Sequence, residues 1–200
     1  MEEGTGKRLL VVDDDPLVLA TLSRGLSRAG FGVAVAGSGE EALESLEGVP
    51  PDLALLDVHM PGLSGFDVSQ RLRTRHIPFV FLSAFHDEHM VDEAVTAGAF
   101  AYLVKPLDHW QVIPTLRSAL RRAEDAEALE AQGERLKEAL QTNRVTGAAV
   151  GVMVERHRIS AREAFERLRR KSRSQRRKIG EVAQEVVDAV ELINLAAADD

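Results

Sequence analysis

Short apolar runs alternate with stretches of helical spacing over the first 120 residues, and this alternation limits the fold more than any other feature. Five runs have the length and composition of buried strands and lie near residues 8–12, 32–36, 52–57, 78–82 and 100–104. Five segments with apolar residues at helical spacing lie at 15–29, 39–47, 64–74, 87–97 and 108–122. Strands that alternate with helices pair in parallel, so we predict an α/β fold with a doubly wound, five-stranded parallel sheet.

Polar side chains stand at the ends of four of these runs. Asp13 and Asp14 follow the first, Asp57 ends the third, Ser83 follows the fourth and Lys105 follows the fifth. Ligands of doubly wound sheets bind beyond the carboxyl ends of the strands, so we expect these side chains to form one site. Carboxylates in one cleft repel each other, which favours either protonation or a bound cation. Mg²⁺ prefers oxygen ligands and uses few carboxylates, so the sequence predicts a magnesium site.

Some of these residues have a simpler interpretation when each is taken alone. Asp13 or Asp14 could cap the first helix, because aspartate is a preferred N-cap residue. The full set of polar residues in this order favours the shared site instead. Asp15 directly precedes Pro16, so we predict that Asp15 is the N-cap of the first helix and not a ligand.

Several motifs follow one another in a fixed order along this part of the chain. They are Asp13-Asp14, Asp57, Met60-Pro61-Gly62, Ser83 and Lys105-Pro106. Together they resemble the receiver domain of two-component response regulators over about residues 7–122. The resemblance implies a flavodoxin-like sheet and a sensor histidine kinase as the phosphodonor.

The same resemblance implies a role for each residue of the site. Asp57 is the expected phosphoacceptor, whose carboxylate forms an acyl phosphate. Mg²⁺ is the expected cofactor, and its ligands would be Asp13, Asp14, Asp57 and the backbone carbonyl of His59. Lys105 would stabilise the phosphoryl group, since phosphoryl transfer depends on charge neutralisation. Ser83 and Tyr102 would form the conformational switch, although Tyr102 alone also fits a plain core aromatic residue.

Composition narrows the protein class. The chain has no cysteine, which suits a reducing compartment. Its first residues lack the basic and apolar regions of a secretory signal, and no run approaches the roughly 18 apolar residues of a membrane span. We therefore expect a cytoplasmic protein without a membrane partner. We also expect no enzyme activity beyond self-phosphorylation and slow hydrolysis of that phosphate.

Charge is distributed unevenly along the chain. Residues 156–178 hold 11 Lys and Arg against 2 Asp and Glu, a net charge of +9, in a chain whose total is −7. The segments before and after it are acidic. A short basic segment in an acidic chain predicts electrostatic binding to the phosphates of a nucleic acid.

The segment between the sheet and the basic region is predicted to be one long helix. From Trp110 to about Arg158 few turn-forming residues occur, and Pro114 is a candidate kink near the start. Apolar and small residues follow heptad spacing at Ala126, Leu129, Gly133, Leu136, Leu140 and Asn143. This seam is a candidate homodimer interface, and the alternative is a solvated linker helix that packs on its own domain.

A second group of motifs lies beyond this linker. It comprises Ala149-Val150-Gly151-Val152-Met153, the run from Ser160 to Phe165 with Leu168-Arg169, and Val182-Ala183. Together they resemble the ANTAR domain, the RNA-binding module of transcription antitermination regulators, over about residues 135–191. Relatives often have Asn-Arg-Lys-Leu before the third helix, where this chain has Arg176-Arg177-Lys178-Ile179. The resemblance implies a small, three-helix, all-α domain.

The helices of this domain can be outlined from the residues. Ser160 with Glu163 forms a capping box that starts a helix, whose apolar face is predicted to be Ala164, Phe165 and Leu168. The next helix carries an apolar face at Val182, Ala183, Val186, Val187 and Val190. Three such helices bury only a small shared core.

We therefore divide the chain into a receiver domain at 1–122, a helical linker at 123–142 and an ANTAR domain at 143–200. The expected function is binding of RNA hairpins that promotes transcription antitermination. The expected RNA contacts are Arg169, Arg170, Lys171, Arg173, Arg176, Arg177 and Lys178. The alternatives are a basic domain that binds DNA or an acidic protein, or merely a solvated basic helix.

Overall fold

The first half of the chain forms one parallel β-sheet. The computed structural model describes residues 6–84, 88–106 and 108–197, and the side chains of these except 109 and 193–197. The strands are β1 (Arg8–Val12), β2 (Gly32–Ala36), β3 (Leu53–Asp57), β4 (Phe79–Ser83) and β5 (Ala101–Val104). All neighbouring strands pair in parallel, in the order β2-β1-β3-β4-β5. The predicted doubly wound, five-stranded parallel sheet is confirmed.

Helices follow the strands as the alternation predicts. They are α1 (Pro16–Arg28), α2 (Gly39–Ser45), α3 (Gly65–Thr74), α4 (Glu88–Ala97), α5 (His109–His157), α6 (Ala161–Gln175) and α7 (Ile179–Ala197). Asp15 is the N-cap of α1, because its carboxylate accepts the Leu17 N–H at 2.8 Å and Pro16 opens the helix. The predicted cap at Asp15 is confirmed.

Apolar side chains fill both faces of the sheet, since successive strand residues point in opposite directions. On one face Leu10, Leu56 and Phe81 belong to a buried cluster completed by residues of α2, α3 and α4. On the other face Leu9 and Leu55 belong to a cluster completed by α1 and the first turns of α5. Each fully buried aliphatic side chain contributes about 1.5–3 kcal/mol, so this double core holds the strand ends firmly in place.

α5 is a single helix that continues through Pro114, which confirms the prediction of one long helix. Internal contacts divide the chain into unit 1, Met1–Glu127, and unit 2, Ala128–Asp200, and α5 contributes residues to both. The narrower boundaries of the expected linker stay predictions. Across the described ranges, no helix combines the length and apolar character that crossing a bilayer requires.

The core of unit 2 is small. The buried members of its core cluster are Ala149 of α5, Leu168 of α6, and Val182 and Ala183 of α7. Partly buried side chains pack against these four from all three helices. Ser160 is the N-cap of α6, because its Oγ accepts the Glu163 N–H at 3.2 Å, which is one of the two hydrogen bonds of the predicted capping box.

Phe165 differs from the prediction. We expected its ring on the apolar face of α6, but the side chain is 40% exposed and lies outside the core cluster. The buried row of α6 consists of Ala164, Leu168 and Ser172, spaced by four residues. Phe165 lies about 60° around the helix from Leu168, at the margin of this row. A core formed by three helices covers one row of α6 and leaves its margin in solvent.

Candidate functional site

The carboxyl ends of four strands bring the predicted site residues together. Asp13 directly follows β1, Asp57 ends β3, Ser83 ends β4 and Lys105 directly follows β5. The pairing of β3, β4 and β5 extends to their last residues, so these ends are aligned. The Lys105 N–H also donates to the Ser83 carbonyl at 2.7 Å. Residues up to 92 positions apart in the chain thus share one edge of the sheet.

Three carboxylates form a cluster at this edge. Asp13, Asp14 and Asp57 each offer an oxygen, and these oxygens lie within 4.8 Å of one another. Asp13 is fully buried and Asp57 is 6% exposed, whereas Asp14 is exposed. Asp13 Oδ1 accepts the Asp15 N–H at 3.0 Å, and Asp57 Oδ1 accepts the His59 N–H at 3.4 Å. The cluster therefore has a buried interior and reaches solvent through Asp14.

The Lys105 ammonium lies between the two buried carboxylates. Its Nζ is 2.6 Å from Asp13 Oδ2 and 2.8 Å from Asp57 Oδ2. Burial acts to lower the pKa of Lys105, but the hydrogen bonds and negative charges of the two aspartates outweigh it, and the pKa is raised. Lys105 is therefore a fixed positive charge at this edge of the sheet.

Asp13 is the most strongly desolvated acid of the cluster. Burial raises the pKa of Asp13, and the Lys105 ammonium and the Asp15 N–H only partly oppose this. Its buried Oδ2 is paired with the Lys105 ammonium at 2.6 Å. Three carboxylates and one ammonium have a formal charge of −2. An all-oxygen donor set with this net negative charge fits a divalent cation such as Mg²⁺.

Glycines and one glutamate shape the loop that follows Asp57, and of these the sequence motifs included Gly62 but not Gly65 or Glu40. A Cβ at Gly65 would lie 2.2 Å from the Asp57 carbonyl oxygen, so glycine is needed where α3 approaches the site. Gly62 has φ +78°, and a Cβ there would lie 2.6 Å from Glu40 Oε1. Glu40 accepts the Leu63 N–H at 3.1 Å, so α2 holds this loop. The Met60-Pro61-Gly62 motif was the available signal for a tight turn.

Ser83 and Tyr102 occupy neighbouring strands behind the carboxylate cluster. Ser83 is fully buried at the end of β4. Tyr102 is partly buried, packs against the core cluster on the α3 face and pairs in register with Phe81. Their roles in a switch, like the other roles assigned to site residues, stay predictions.

An apolar cavity opens beside Lys105. Its volume is about 450 Å³, and α1 forms one wall through Leu17, Val18 and neighbouring residues. Leu82 and Pro106 line the other side, and the Leu17 side chain is 73% exposed. An apolar surface therefore adjoins the charged site.

Unit 2 presents its charge on the surface. All the predicted RNA contacts on α6 and the following turn are exposed. Arg169 has a weak, exposed ion pair with Glu166 at 3.4 Å. Within the described ranges no ion pair involves the basic residues Arg170, Lys171, Arg173, Arg176 and Lys178. These cations are available to an external anion.

Arg177 is different, because it has carboxylate partners within unit 2. Its guanidinium lies 2.5 Å from Glu185 and 3.2 Å from Glu181, and these partners raise its pKa. Its N–H donates to the Ser172 carbonyl at 3.0 Å, and its own carbonyl accepts the Ser172 Oγ–H at 2.8 Å. Arg177 thus joins the end of α6 to α7, and its charge is already compensated.

Two protein-family models match the chain. The model of the response regulator receiver domain matches residues 9–117, and the model of the ANTAR domain matches residues 134–187. The chain is similar to the transcriptional regulatory protein PdtaR of Mycobacterium tuberculosis, with 33% identity over 186 residues, 92% of this chain and 91% of that protein. It is 39% identical over 117 residues to the transcriptional regulatory protein AfsQ1 of Streptomyces coelicolor, covering 58% of this chain and 52% of that protein.

Solved structures show the same sheet. The chemotaxis protein CheY4 of Vibrio cholerae matches with a TM-score of 0.54 and 28% identity, over 56% of this chain and 98% of that protein. A CheY-like response regulator receiver domain protein of Methanospirillum hungatei matches with a TM-score of 0.57 and 25% identity, over 60% of this chain and 98% of that protein. These likenesses confirm the flavodoxin-like fold expected from the motifs.

Proposed function

The chain belongs to the response regulators in which a receiver domain precedes an ANTAR domain, and we propose that phosphorylation of Asp57 controls RNA binding by unit 2. It is a phosphorylation-regulated response regulator with an ANTAR output, and both of its domains are regulatory modules. One observation carries the proposal. A single chain combines a buried carboxylate and lysine site with an exposed basic helix whose charges are largely uncompensated.

Asp57 is the proposed nucleophile. Its carboxylate attacks the phosphorus of a phosphohistidine on a sensor histidine kinase, so a P–O bond forms while the P–N bond breaks and the imidazole leaves. Lys105 Nζ, 2.8 Å from Asp57 Oδ2, compensates the negative charge of the transferred group. Mg²⁺ bound by the three aspartates and the His59 carbonyl would supply further charge neutralisation.

The switch is proposed to pass along β4 and β5. The Ser83 hydroxyl turns toward a phosphoryl oxygen on Asp57, and Tyr102 responds by moving further into the core. The backbone hydrogen bond between Lys105 and Ser83 supports this coupling, because it joins the phosphoryl-binding ends of the two strands.

The donor kinase must reach Asp57 through a protein contact. The cavity beside Lys105 and the exposed Leu17 side chain provide apolar surface next to the acceptor carboxylate. We propose that a helix of the kinase packs there during phosphoryl transfer, since apolar surface supplies binding energy that the charged site alone lacks.

Unit 2 is proposed to bind RNA hairpins. Sequence-specific RNA recognition targets unpaired loop bases, and the exposed cations of α6 supply affinity for the surrounding phosphates. Binding to a hairpin that overlaps a terminator would prevent the terminator from forming, which is antitermination. Arg177 is the weakest of the predicted contacts, because its charge is paired with Glu185 and Glu181.

The heptad seam on α5 is the proposed dimer interface. Leu129, Leu136 and Leu140 are 70%, 62% and 60% exposed, so they form an apolar stripe that the described part of the chain leaves uncovered. Their spacing matches that of coiled-coil core positions. Leu136→Glu should reduce the sedimenting mass of the activated protein, whereas Leu192→Glu, an exposed leucine on α7, should not. Unchanged sedimentation of Leu136→Glu would rule out this seam.

The proposal is tested by RNA binding of the full-length protein. A transcript with tandem hairpins is titrated with and without beryllofluoride and Mg²⁺, which mimic the acyl phosphate. We expect tighter binding in the activated state, poor competition by duplex DNA, and increased readthrough of a terminator in purified transcription. RNA affinity that is absent in both states would refute the proposed function, and efficient displacement by duplex DNA would favour a DNA-binding output instead.

A further inference from the structure

Phe165 is an aromatic side chain on the surface of a basic helix. It is the only Phe, Tyr or Trp in residues 128–200, yet its side chain is 40% exposed while smaller residues fill the core. Aromatic rings are the largest apolar groups available to a small core, and exposing one forfeits part of its burial energy. The exposed position of this ring therefore indicates that it contacts a ligand.

Two of the four residues adjacent to Phe165 on the helix surface are arginines. Residues three and four apart are adjacent on an α-helix, so Arg162 and Arg169 flank Phe165 on either side, and Arg173 follows Arg169. All three arginines are exposed, and within the described ranges neither Arg162 nor Arg173 has an ion pair. The 3.4 Å ion pair between Arg169 and Glu166 is exposed, so replacing it with a phosphate contact costs little free energy.

An exposed aromatic ring flanked by arginines favours a nucleic acid as the partner. A second copy of the same basic surface would be repelled by its like charge, whereas a polyanion would be attracted. A flat aromatic face beside arginine side chains is the arrangement on which unpaired bases stack while cations bind the adjacent phosphates. An aliphatic side chain would suffice for ordinary apolar docking.

We propose that Phe165 is a stacking platform for an unpaired loop base of the bound RNA, with Arg162 and Arg169 on the phosphates that flank this base. The proposal rests on RNA binding by unit 2 and adds two contacts, Phe165 and Arg162, to the set expected from the sequence. Phe165 supplies base stacking, and the arginines supply charge. Stacking and charge then make separable contributions to RNA affinity.

The test uses full-length protein and a hairpin pool with a randomised loop, from which wild-type protein selects a tight-binding hairpin. Affinity for that hairpin is measured over a range of salt for wild type, Phe165→Leu and Phe165→Tyr. We expect Phe165→Leu to bind at least about fivefold more weakly with an unchanged salt slope, because stacking contributes about 1–3 kcal/mol per base and no phosphate contact is lost. Phe165→Tyr keeps the ring and should bind within about twofold of wild type.

A fluorescent base analogue that is quenched by stacking, placed at each loop position in turn, supplies the second readout. One position should be quenched by wild type and Phe165→Tyr but not by Phe165→Leu, while Leu192→Ala, an exposed leucine on the acidic α7, behaves as wild type. Thermal melting confirms that each variant is folded. Equal binding by Phe165→Leu and wild type, or a changed sedimenting mass of Phe165→Leu, overturns the stacking role while RNA binding stands. A wild-type protein that selects no hairpin refutes the proposed function itself.

Discussion

The two units handle charge in opposite ways. Unit 1 places Asp13, Asp57 and Lys105 in a mostly buried cluster, where each charge has its partner within 3 Å. Unit 2 places its cations on the exposed surface of α6, and few have a partner. The cores also differ in size, since unit 1 has two large buried clusters and unit 2 has one small cluster with four buried members.

This difference bears on how each unit tolerates substitution. A buried site depends on every member, because removing one partner leaves the other charged, desolvated and unpaired. An exposed basic surface gains affinity from the sum of many weak phosphate contacts. We therefore expect all-or-none effects in unit 1 and graded effects in unit 2, apart from substitutions in its small core.

The largest expected effect is loss of phosphorylation in Asp57→Asn. The amide cannot form an acyl phosphate, so the full-length protein should gain no phosphoryl group from a small acyl-phosphate donor with Mg²⁺. Intact-mass spectrometry measures the product. Asp92→Asn, at an exposed position on α4, is the matched control and should be phosphorylated normally. Phosphorylation of Asp57→Asn at the wild-type level would show that Asp57 is not the acceptor. Chelation of Mg²⁺ should stop the wild-type reaction.

The next largest effect is a loss of stability in unit 2 that leaves unit 1 unchanged. Leu168→Ala should lower the free energy of unfolding of unit 2 by about 2–5 kcal/mol, because it creates a cavity among very few core residues. Hydrogen exchange should show lost protection in α6 and α7 with unchanged protection in β1 to β5. Leu192→Ala, at a position 73% exposed, should change neither. Loss of protection in both units together would mean that the chain unfolds as one cooperative body.

A smaller, graded effect is expected for the unpaired cations of α6. Arg170→Gln and Arg173→Gln should each weaken RNA binding a few-fold and reduce the slope of log affinity against log salt by about 1, since each removes one phosphate contact. The double variant should reduce it by about 2. Arg24→Gln on α1, exposed but in unit 1, should leave the slope unchanged. A single substitution that abolished binding would contradict the additive picture of unit 2.

The smallest effect is expected at Arg177. Arg177→Gln should leave the salt slope nearly unchanged but reduce hydrogen-exchange protection at the start of α7, because it removes the contacts with Glu185 and Glu181. Arg173→Gln serves as the comparison, because it should reduce the salt slope and leave the hydrogen-exchange protection of α7 unchanged. If Arg177→Gln reduced the slope as strongly as Arg173→Gln, then Arg177 would contact RNA after all.

The elements of the fold were largely predictable from the sequence. The five strands begin and end within about one residue of the apolar runs, because buried parallel strands are short, continuous and bounded by turn residues. The cap at Asp15 and the long α5 followed from equally local rules. The strand order β2-β1-β3-β4-β5 depends on the pairing of distant segments, which no local pattern states.

The site was predictable as a set of residues but not as an arrangement. The ends of the predicted strands identified Asp13, Asp57 and Lys105 as site residues. The position of the Lys105 ammonium between the two carboxylates depends on tertiary packing, which the sequence pattern does not contain. Glu40 was missed because its hydrogen bond with the Leu63 N–H joins α2 to a loop 23 residues further along the chain.

Residue types and their spacing in the sequence determined that this chain has a parallel sheet with acidic strand ends, one long helix and a basic helical segment, because these properties are local. Only the tertiary structure decided which charged side chains and aromatic rings remain available to bind a ligand. Arg177 is compensated by carboxylates of the next helix, and Phe165 stays in solvent because a small core covers a single row of α6. Both outcomes depend on where a neighbouring helix packs, and spacing within one helix does not contain that information.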